Sequence, residues 1–184
     1  MSLYYLDIET TGIEPGINMI VTIQYAKLTD DFEPVTDLEV LGVWEFKSER
    51  ELIRKFLEYS KFFEEPFTFI PVGVNLIFDL VFIYTRARHY KLVSEPFADI
   101  LHWKPFIDLK PVLVIINKGK FVEYNKFVDM YRVETKIRGV DMPILFKNGD
   151  YESIVKYVKD EYQATLKVLR QIKEVLENLK FQQT

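Results

Sequence analysis

Four carboxylates and one phenol stand out for where they fall: Asp7 and Glu9 in LYYLDIETTG (Leu3 to Gly12), Asp79 in LIFDLVFIY, and Glu161 with Tyr157 in YVKDEY. Leu3, Tyr4, Leu6 and Ile8 are apolar on both parities, the pattern of a strand covered on both faces near the centre of a sheet. Residues two apart on a strand share a face, so Asp7 and Glu9 stand side by side in apolar surroundings. Like charges so enclosed are costly unless something cationic holds them. Hard carboxylate oxygens suit magnesium or manganese. A lone Asp-x-Glu is more often a strand running out into a polar loop. The continuation Thr10-Thr11-Gly12 and two further acidic positions downstream weigh against that reading here.

The third acid, Asp79, is the one polar residue between Leu76 and Tyr84, a helix expected to be buried nearly all round. Asn75, at the strand-to-helix junction, is the better N-cap, which leaves Asp79 about one turn in and facing the sheet's own carboxylates. The fourth lies on a long helix expected from about Tyr151 to about Leu179, with Asp150 as its N-cap after an Asn148-Gly149 turn. Its apolar stripe runs Ile154, Val158, position 161, Thr165, Val168 or Leu169, Ile172, Val175 or Leu176, and Leu179. Glu161 therefore points into the stripe, with Tyr157 one turn before it. Asp160 aligns with Lys156, Ala164, Lys167 and Gln171 on the wet face. Asp99 and Asp108 also lie beside apolar residues, but at expected loop or strand edges, and read as structural.

The elements between these positions can be read in order. IEPGIN (Ile13 to Asn18) is a turn, Met19 to Thr29 a second strand, Asp30 to Pro34 a tight connection and Val35 to Phe46 a third strand, which makes an antiparallel meander. Ser48 and Glu51 have capping-box spacing, and Leu52, Ile53, Phe56 and Leu57 follow at helical intervals, so a helix is expected from about Glu49 to about Phe62. Phe67 to Val74 reads as a buried strand parallel to the first through that helical crossover. Between Lys91 and Lys120 the pattern gives a short strand at Phe106 to Leu109 and a helix from Pro111 to Asn117 stopped by Gly119. A further helix is expected from Glu123 to Met130. ETKIRGVDM (Glu134 to Met142) is a polar loop. Basic loops are more often solvated than functional, and the position of Lys136, Arg138 and Gly139 just ahead of the last acidic motif adds phosphate contact as the alternative.

Composition narrows the classes. The 184 residues, 48% hydrophobic and 15% aromatic, suit one domain with a sizeable core. The absence of cysteine excludes disulfides and thiolate metal sites, and two histidines, His89 and His102, argue against zinc. No leader-like or membrane-spanning run is present, so a soluble cytoplasmic protein is expected. The net charge of −4 argues against a basic clamp on duplex DNA, although an acid-rich site that gathers metal ions reverses its sign once loaded.

In this order and on these elements, the residues resemble the three motifs of the DEDD exonucleases of the ribonuclease H-like fold. LDIETTG looks like the first motif, VNLIFDL (Val74 to Leu80) is similar to the second, and YVKDEYQAT (Tyr157 to Thr165) is similar to the third in its tyrosine-bearing, DEDDy form. The likeness covers essentially the whole chain, and points to stand-alone exonucleases related to the proofreading domain of family B DNA polymerases. One departure stands out: the family's third acid is Asp, and here the matching position holds Glu161, with Thr165 in the expected place beyond it. The resemblance implies an α/β three-layer fold with a mixed sheet, and metal-dependent 3′ to 5′ hydrolysis of single-stranded ends, DNA ahead of RNA, to 5′-mononucleotides. It implies two Mg2+ or Mn2+ ions about 4 Å apart bridged by Asp7 and held with Glu9, Asp79 and Glu161. Tyr157 would orient the attacking water, since its ordinary pKa of about 10 makes it a poor base at neutral pH. Thr10, Thr11, Gly12, Asn75 and Phe78 would contact the terminal nucleotide, Phe78 by stacking, although a core role for Phe78 fits the pattern at least as well. Two other readings stay open on the sequence: a non-catalytic nucleic-acid-binding or polymerase-associated module, and a structure-specific endonuclease of the same fold.

Overall fold

A computed structural model describes residues 2–116, 119 and 136–178. The expected helix at Glu123 to Met130 lies outside the described residues. Five strands form one mixed sheet: β1 (Leu3–Thr10), β2 (Ile20–Leu28), β3 (Glu39–Gly42), β4 (Ile70–Gly73) and β5 (Ile107–Asp108). Their order is β3-β2-β1-β4-β5, antiparallel across β3, β2 and β1 and parallel across β1, β4 and β5. The sheet is thus the expected meander continued by parallel strands, with β1 at its centre.

The helices are α1 (Glu49–Ser60), α2 (Leu76–His89), α3 (Phe97–Trp103), α4 (Leu109–Ile116), α5 (Met142–Lys147) and α6 (Tyr151–Asn178). Alternation along β1 divides the molecule. Leu6 and Ile8 join α1 and α2 residues such as Leu52, Phe56, Leu80 and Ile83 in one apolar cluster. Leu3 and Tyr5 point the other way, into a cluster with Leu113 of α4 and Tyr162, Leu166 and Leu169 of α6. Three layers result, helices on both faces of the sheet. Asp7 and Glu9 share the parity of Leu3 and Tyr5, so their side chains face α6.

Several elements differ from the sequence reading. The third strand ends at Gly42, where a 3-10 turn over Val43–Glu45 begins. A Cβ at Gly42 would lie 2.3 Å from the Trp44 ring, so the indole folds back over a backbone that only glycine leaves bare. The fourth strand is shorter than Phe67 to Val74, because residues before Ile70 form a turn whose Thr68 hydroxyl donates to Glu65. Helix α4 starts two residues before Pro111, at Leu109, where the Asp108 carboxylate accepts the Lys110 N–H at 2.9 Å. Helices α3 and α5 were not anticipated. Pro96 begins α3 without a side-chain cap, whereas the Pro143 in the first turn of α5 was a readable start signal.

A buried ion pair ties α1 to α2. Both Glu49 oxygens accept from the Arg86 guanidinium, at 2.9 and 2.5 Å, and Oε1 also accepts the Ile20 N–H at 2.7 Å. The start of α1, the start of β2 and the later half of α2 are thereby locked together. Ser48 caps α1 as expected, its hydroxyl accepting from the Glu51 N–H.

Candidate active site

Strand β1 outruns its parallel neighbour. Its pairing with β4 covers only Leu3 to Tyr5, while pairing with β2 continues to Thr10. The ladder's loose end is taken up by α2: Asp79 Oδ1 accepts the Ile8 N–H at 3.2 Å. This brings the third acid to the first two. The approach depends on Gly73, where a Cβ would stand 2.6 Å from the Leu6 carbonyl oxygen. Asn75 makes the next bend in a left-handed conformation (φ 61°), which Asn tolerates better than most residues. It occupies the N-cap position, but its side chain does not cap the helix. Its Oδ1 accepts from Lys110 Nζ at 2.8 Å, and its N–H donates to Asp108, whose structural role was anticipated.

On the opposite flank β2 supports Asp7. Gln24 is its cross-strand partner, and Gln24 Nε2 donates to Asp7 Oδ2 at 2.8 Å while its Oε1 accepts from the Thr22 hydroxyl at 2.9 Å. The Tyr5 hydroxyl also donates to Asp7, at 3.4 Å. Gln24 and Thr22 escaped the sequence reading. Two polar residues, two apart in the apolar run of β2 before Lys27 and both fully buried, were the signal that could have found them.

Helix α6 delivers Glu161 and Tyr157, each only 3% exposed, from the stripe that the spacing gave. Asp160 does not lie on a wet face, and neither does Ala164. Both are buried, because between Tyr157 and Leu169 only Lys159, Gln163 and the half-buried Lys167 escape cover. Spacing alone implies a helix wetted along one whole side. Mid-helix, α6 is wrapped more widely than that.

Asp7, Glu9 and Glu161 each present a carboxylate oxygen within 4.8 Å of the others, and they are the one such group of three or more acids or histidines among the described residues. With Asp79, Tyr157, Asn75 and Phe78 they line a cavity of about 260 Å³. Arg138, Gly139 and Val140 close another side, and a Cβ on Gly139 would lie 3.6 Å from the Tyr157 hydroxyl and 4.0 Å from Glu9 Oε2. The polar segment expected at 134–142 thus contributes part of the wall, its exposed Arg138 beside four carboxylates. Thr10, Thr11 and Gly12 do not line this cavity. They form a turn of their own, Thr10 Oγ1 donating to the Gly12 carbonyl at 2.7 Å and Thr11 Oγ1 accepting the Met19 N–H at 3.0 Å.

The electrostatics are those of crowded anions. Burial, then the Glu161 charge, push Asp7 up to about 8, against the opposing bonds from Gln24, the Ile8 backbone and Tyr5. Asp79 is likewise raised well above the usual carboxylate range, first by burial and then by Asp7. The converging donors of this cluster are hard oxygens, with no sulfur or imidazole among them. The donor set therefore fits a hard divalent cation, with Asp7, Glu9 and Glu161 converging and Asp79 adjoining.

No protein-family model matches the chain, and no curated protein matches it. Solved structures do. The zinc-bound E. coli ExoI–ssDNA complex superposes on 94% of the chain with a TM-score of 0.57 at 16% identity. E. coli exonuclease I in complex with a dT13 oligonucleotide matches 63% of the chain at 16% identity with a TM-score of 0.45, and product-bound exonuclease I matches the same share at 16% identity and 0.45. The chain spans only 40, 29 and 31% of those proteins' lengths. At this identity the likeness is one of fold: the mixed five-stranded sheet flanked by helices is the ribonuclease H-like fold of that exonuclease.

Proposed function

We propose that the protein is a metal-dependent 3′–5′ exonuclease that hydrolyses the terminal phosphodiester of single-stranded nucleic acid, DNA ahead of RNA, and releases 5′-mononucleotides. The observation that carries this reading is the convergence of Asp7, Glu9 and Glu161 within 4.8 Å, with Asp79 against Ile8 and Tyr157 in the same cavity. The 184 residues serve as one exonuclease-like domain. Asp7, Glu9, Asp79 and Glu161 would hold the ions, magnesium or manganese, two per site. Bound there, divalent cations polarise a phosphodiester and lower the pKa of a coordinated water.

The remaining roles belong to the chain's own groups. The Tyr157 hydroxyl, next to the Gly139 backbone, orients the attacking water by hydrogen bonding. Val74, Phe78 and Val140 give the cavity an apolar side against which the terminal sugar and base displace water. Asn75 and, for the part of that nucleotide outside the cavity, the backbone of Thr10 at the end of β1 and of Thr11 and Gly12 in the turn after it offer polar contacts. Arg138 carries a permanent positive charge at a wall otherwise lined by acids, and meets the phosphate. A glutamate at position 161 supplies the charge of the usual aspartate on a longer arm. The Gln24 and Tyr5 bonds to Asp7 hold its carboxylate in place for the cation it would bind.

The test is cleavage of 5′-labelled single-stranded DNA and RNA of one sequence with magnesium, manganese or chelator, by wild type, Asp7→Ala and Glu161→Ala. A metal-dependent ladder shrinking from the 3′ end, lost in both variants, is expected. Internal fragments would replace this reading with an endonuclease, and strand binding without cleavage under any metal would replace it with a binding module.

A further inference from the structure

We propose that Thr22 is a positioning residue for the cation site and acts on Asp7 through Gln24, an inference that rests on the metal-dependent reading above. Antiparallel register sets Gln24 opposite Asp7 and Thr22 opposite Glu9. The two polar side chains of β2 therefore share a face of the sheet with the two acids of β1. Three of the four form a file. The Thr22 hydroxyl donates to Gln24 Oε1 at 2.9 Å, and Gln24 Nε2 donates to Asp7 Oδ2 at 2.8 Å. Thr22 and Gln24 are both 0% exposed.

The direction of the file follows from what each group can do. An ionised carboxylate only accepts, so the amide has to turn Nε2 toward Asp7, and this turns Oε1 away from it. A buried carbonyl oxygen left without a donor is costly, and with both residues closed to solvent the donor has to come from the chain. The Thr22 hydroxyl is that donor. The other side-chain donor to Asp7, the Tyr5 hydroxyl, reaches the same Oδ2 at 3.4 Å, a longer and weaker bond. Gln24 is thus the chief side-chain restraint on the Asp7 carboxylate, and Thr22 sets which end of the Gln24 amide that carboxylate meets. Valine has the same branched shape and suits a buried strand as well, so packing alone gives position 22 no use for a hydroxyl. Convergence of the acids does: an Asp7 oxygen lies within 4.8 Å of oxygens of Glu9 and Glu161, and a carboxylate free to rotate loses that arrangement.

Manganese binding is measured at fixed pH and without nucleic acid, from the electron paramagnetic resonance signal of the free ion. The proteins are wild type, Thr22→Val, Thr22→Ser, Gln24→Met and the Thr22→Val, Gln24→Met double variant, each checked for a cooperative melt in chelator. Thr22→Val should weaken binding about tenfold, and Thr22→Ser, which keeps the hydroxyl, should restore it. Gln24→Met should weaken binding at least as much, and Thr22→Val should then add nothing, because its route to Asp7 is gone. In cleavage of a 5′-labelled oligothymidylate, Thr22→Val should raise the manganese concentration for half-maximal rate about tenfold, a loss that added manganese recovers. Unchanged manganese affinity in Thr22→Val overturns this inference and leaves the exonuclease reading standing. A loss that Thr22→Ser shares, or that persists in full on top of Gln24→Met, overturns it as well. Should Thr22→Val not melt cooperatively, Thr22→Ala takes its place under the same criteria. Absence of manganese binding by wild type overturns it together with the metal-dependent reading.

Discussion

At the scale of single residues, the site crowds carboxylates whose charges oppose one another, a strain that the proposed cations would relieve. Asp7 has an ordinary pKa of 3.8 and a folded, metal-free value of about 8, so the folded chain holds its proton more tightly than the unfolded chain does. That contribution to stability is complete below about pH 4 and is lost as pH rises through about 8, and Asp79, shifted in the same direction, adds to it. Calorimetry in chelator should show the melting temperature falling across this window. Manganese binding in the same window should release protons and strengthen with pH, as titrations in buffers of different ionisation enthalpy will report. Glu161→Gln removes the neighbour that raises Asp7. It should lower metal-dependent cleavage by at least about a hundredfold and yet raise the chelator-state melting temperature, a combination that a merely structural residue would not give. The site acids were legible because each interrupts an apolar pattern of known period. Asp160 was misread because period alone does not say how far around a helix its neighbours reach.

The elements turn residue types into distances. Strand β1 runs past the end of β4 and so leaves an amide for Asp79, and Gly73 allows the two strands their closest approach. Gly73→Ala places a methyl 2.6 Å from a backbone oxygen. It should destabilise the fold by about 1–3 kcal/mol in denaturant titrations, as overpacking does, and weaken manganese affinity by shifting Asp79 against Asp7. Glu49→Ala leaves the buried Arg86 guanidinium without its carboxylate and the Ile20 N–H without its acceptor. A loss of about 3–5 kcal/mol is expected by the same titration. Strands and long helices were readable because period and caps agree, as at Ser48 and Asp150, whose carboxylate accepts the Ser153 N–H at 3.2 Å. The β3 boundary was not, since nothing local announces that Trp44 will fold over Gly42. Short α3 gave no capping signal, and the partnership of Gln24 with Asp7 exists only once register is set.

Across the whole molecule, helices on both faces leave β1 central, and three apolar clusters meet around its acidic end. Ligand that binds only the folded form stabilises it by mass action, about 2.7 kcal/mol at a hundred times Kd. For a chain of this length that corresponds to roughly 5–10 °C. Saturating manganese should raise the melting temperature of wild type by that amount and leave Asp7→Ala unmoved in differential scanning fluorimetry. No helix among the described residues is long and apolar enough to cross a membrane. The sequence conveyed the three-layer plan because β1, α2 and α6 carry both the strongest patterns and the acids.

The distance along the chain between Asp7 and Glu161 has a consequence in time. Synthesis delivers β1 and α2 well before α6, so Asp7, Glu9 and Asp79 are made before the acid that completes their cluster. A nascent chain holding the first four strands and α2 has its sheet centre but not the full acid cluster. On the exonuclease reading, the site is complete only once that one helix, α6, docks.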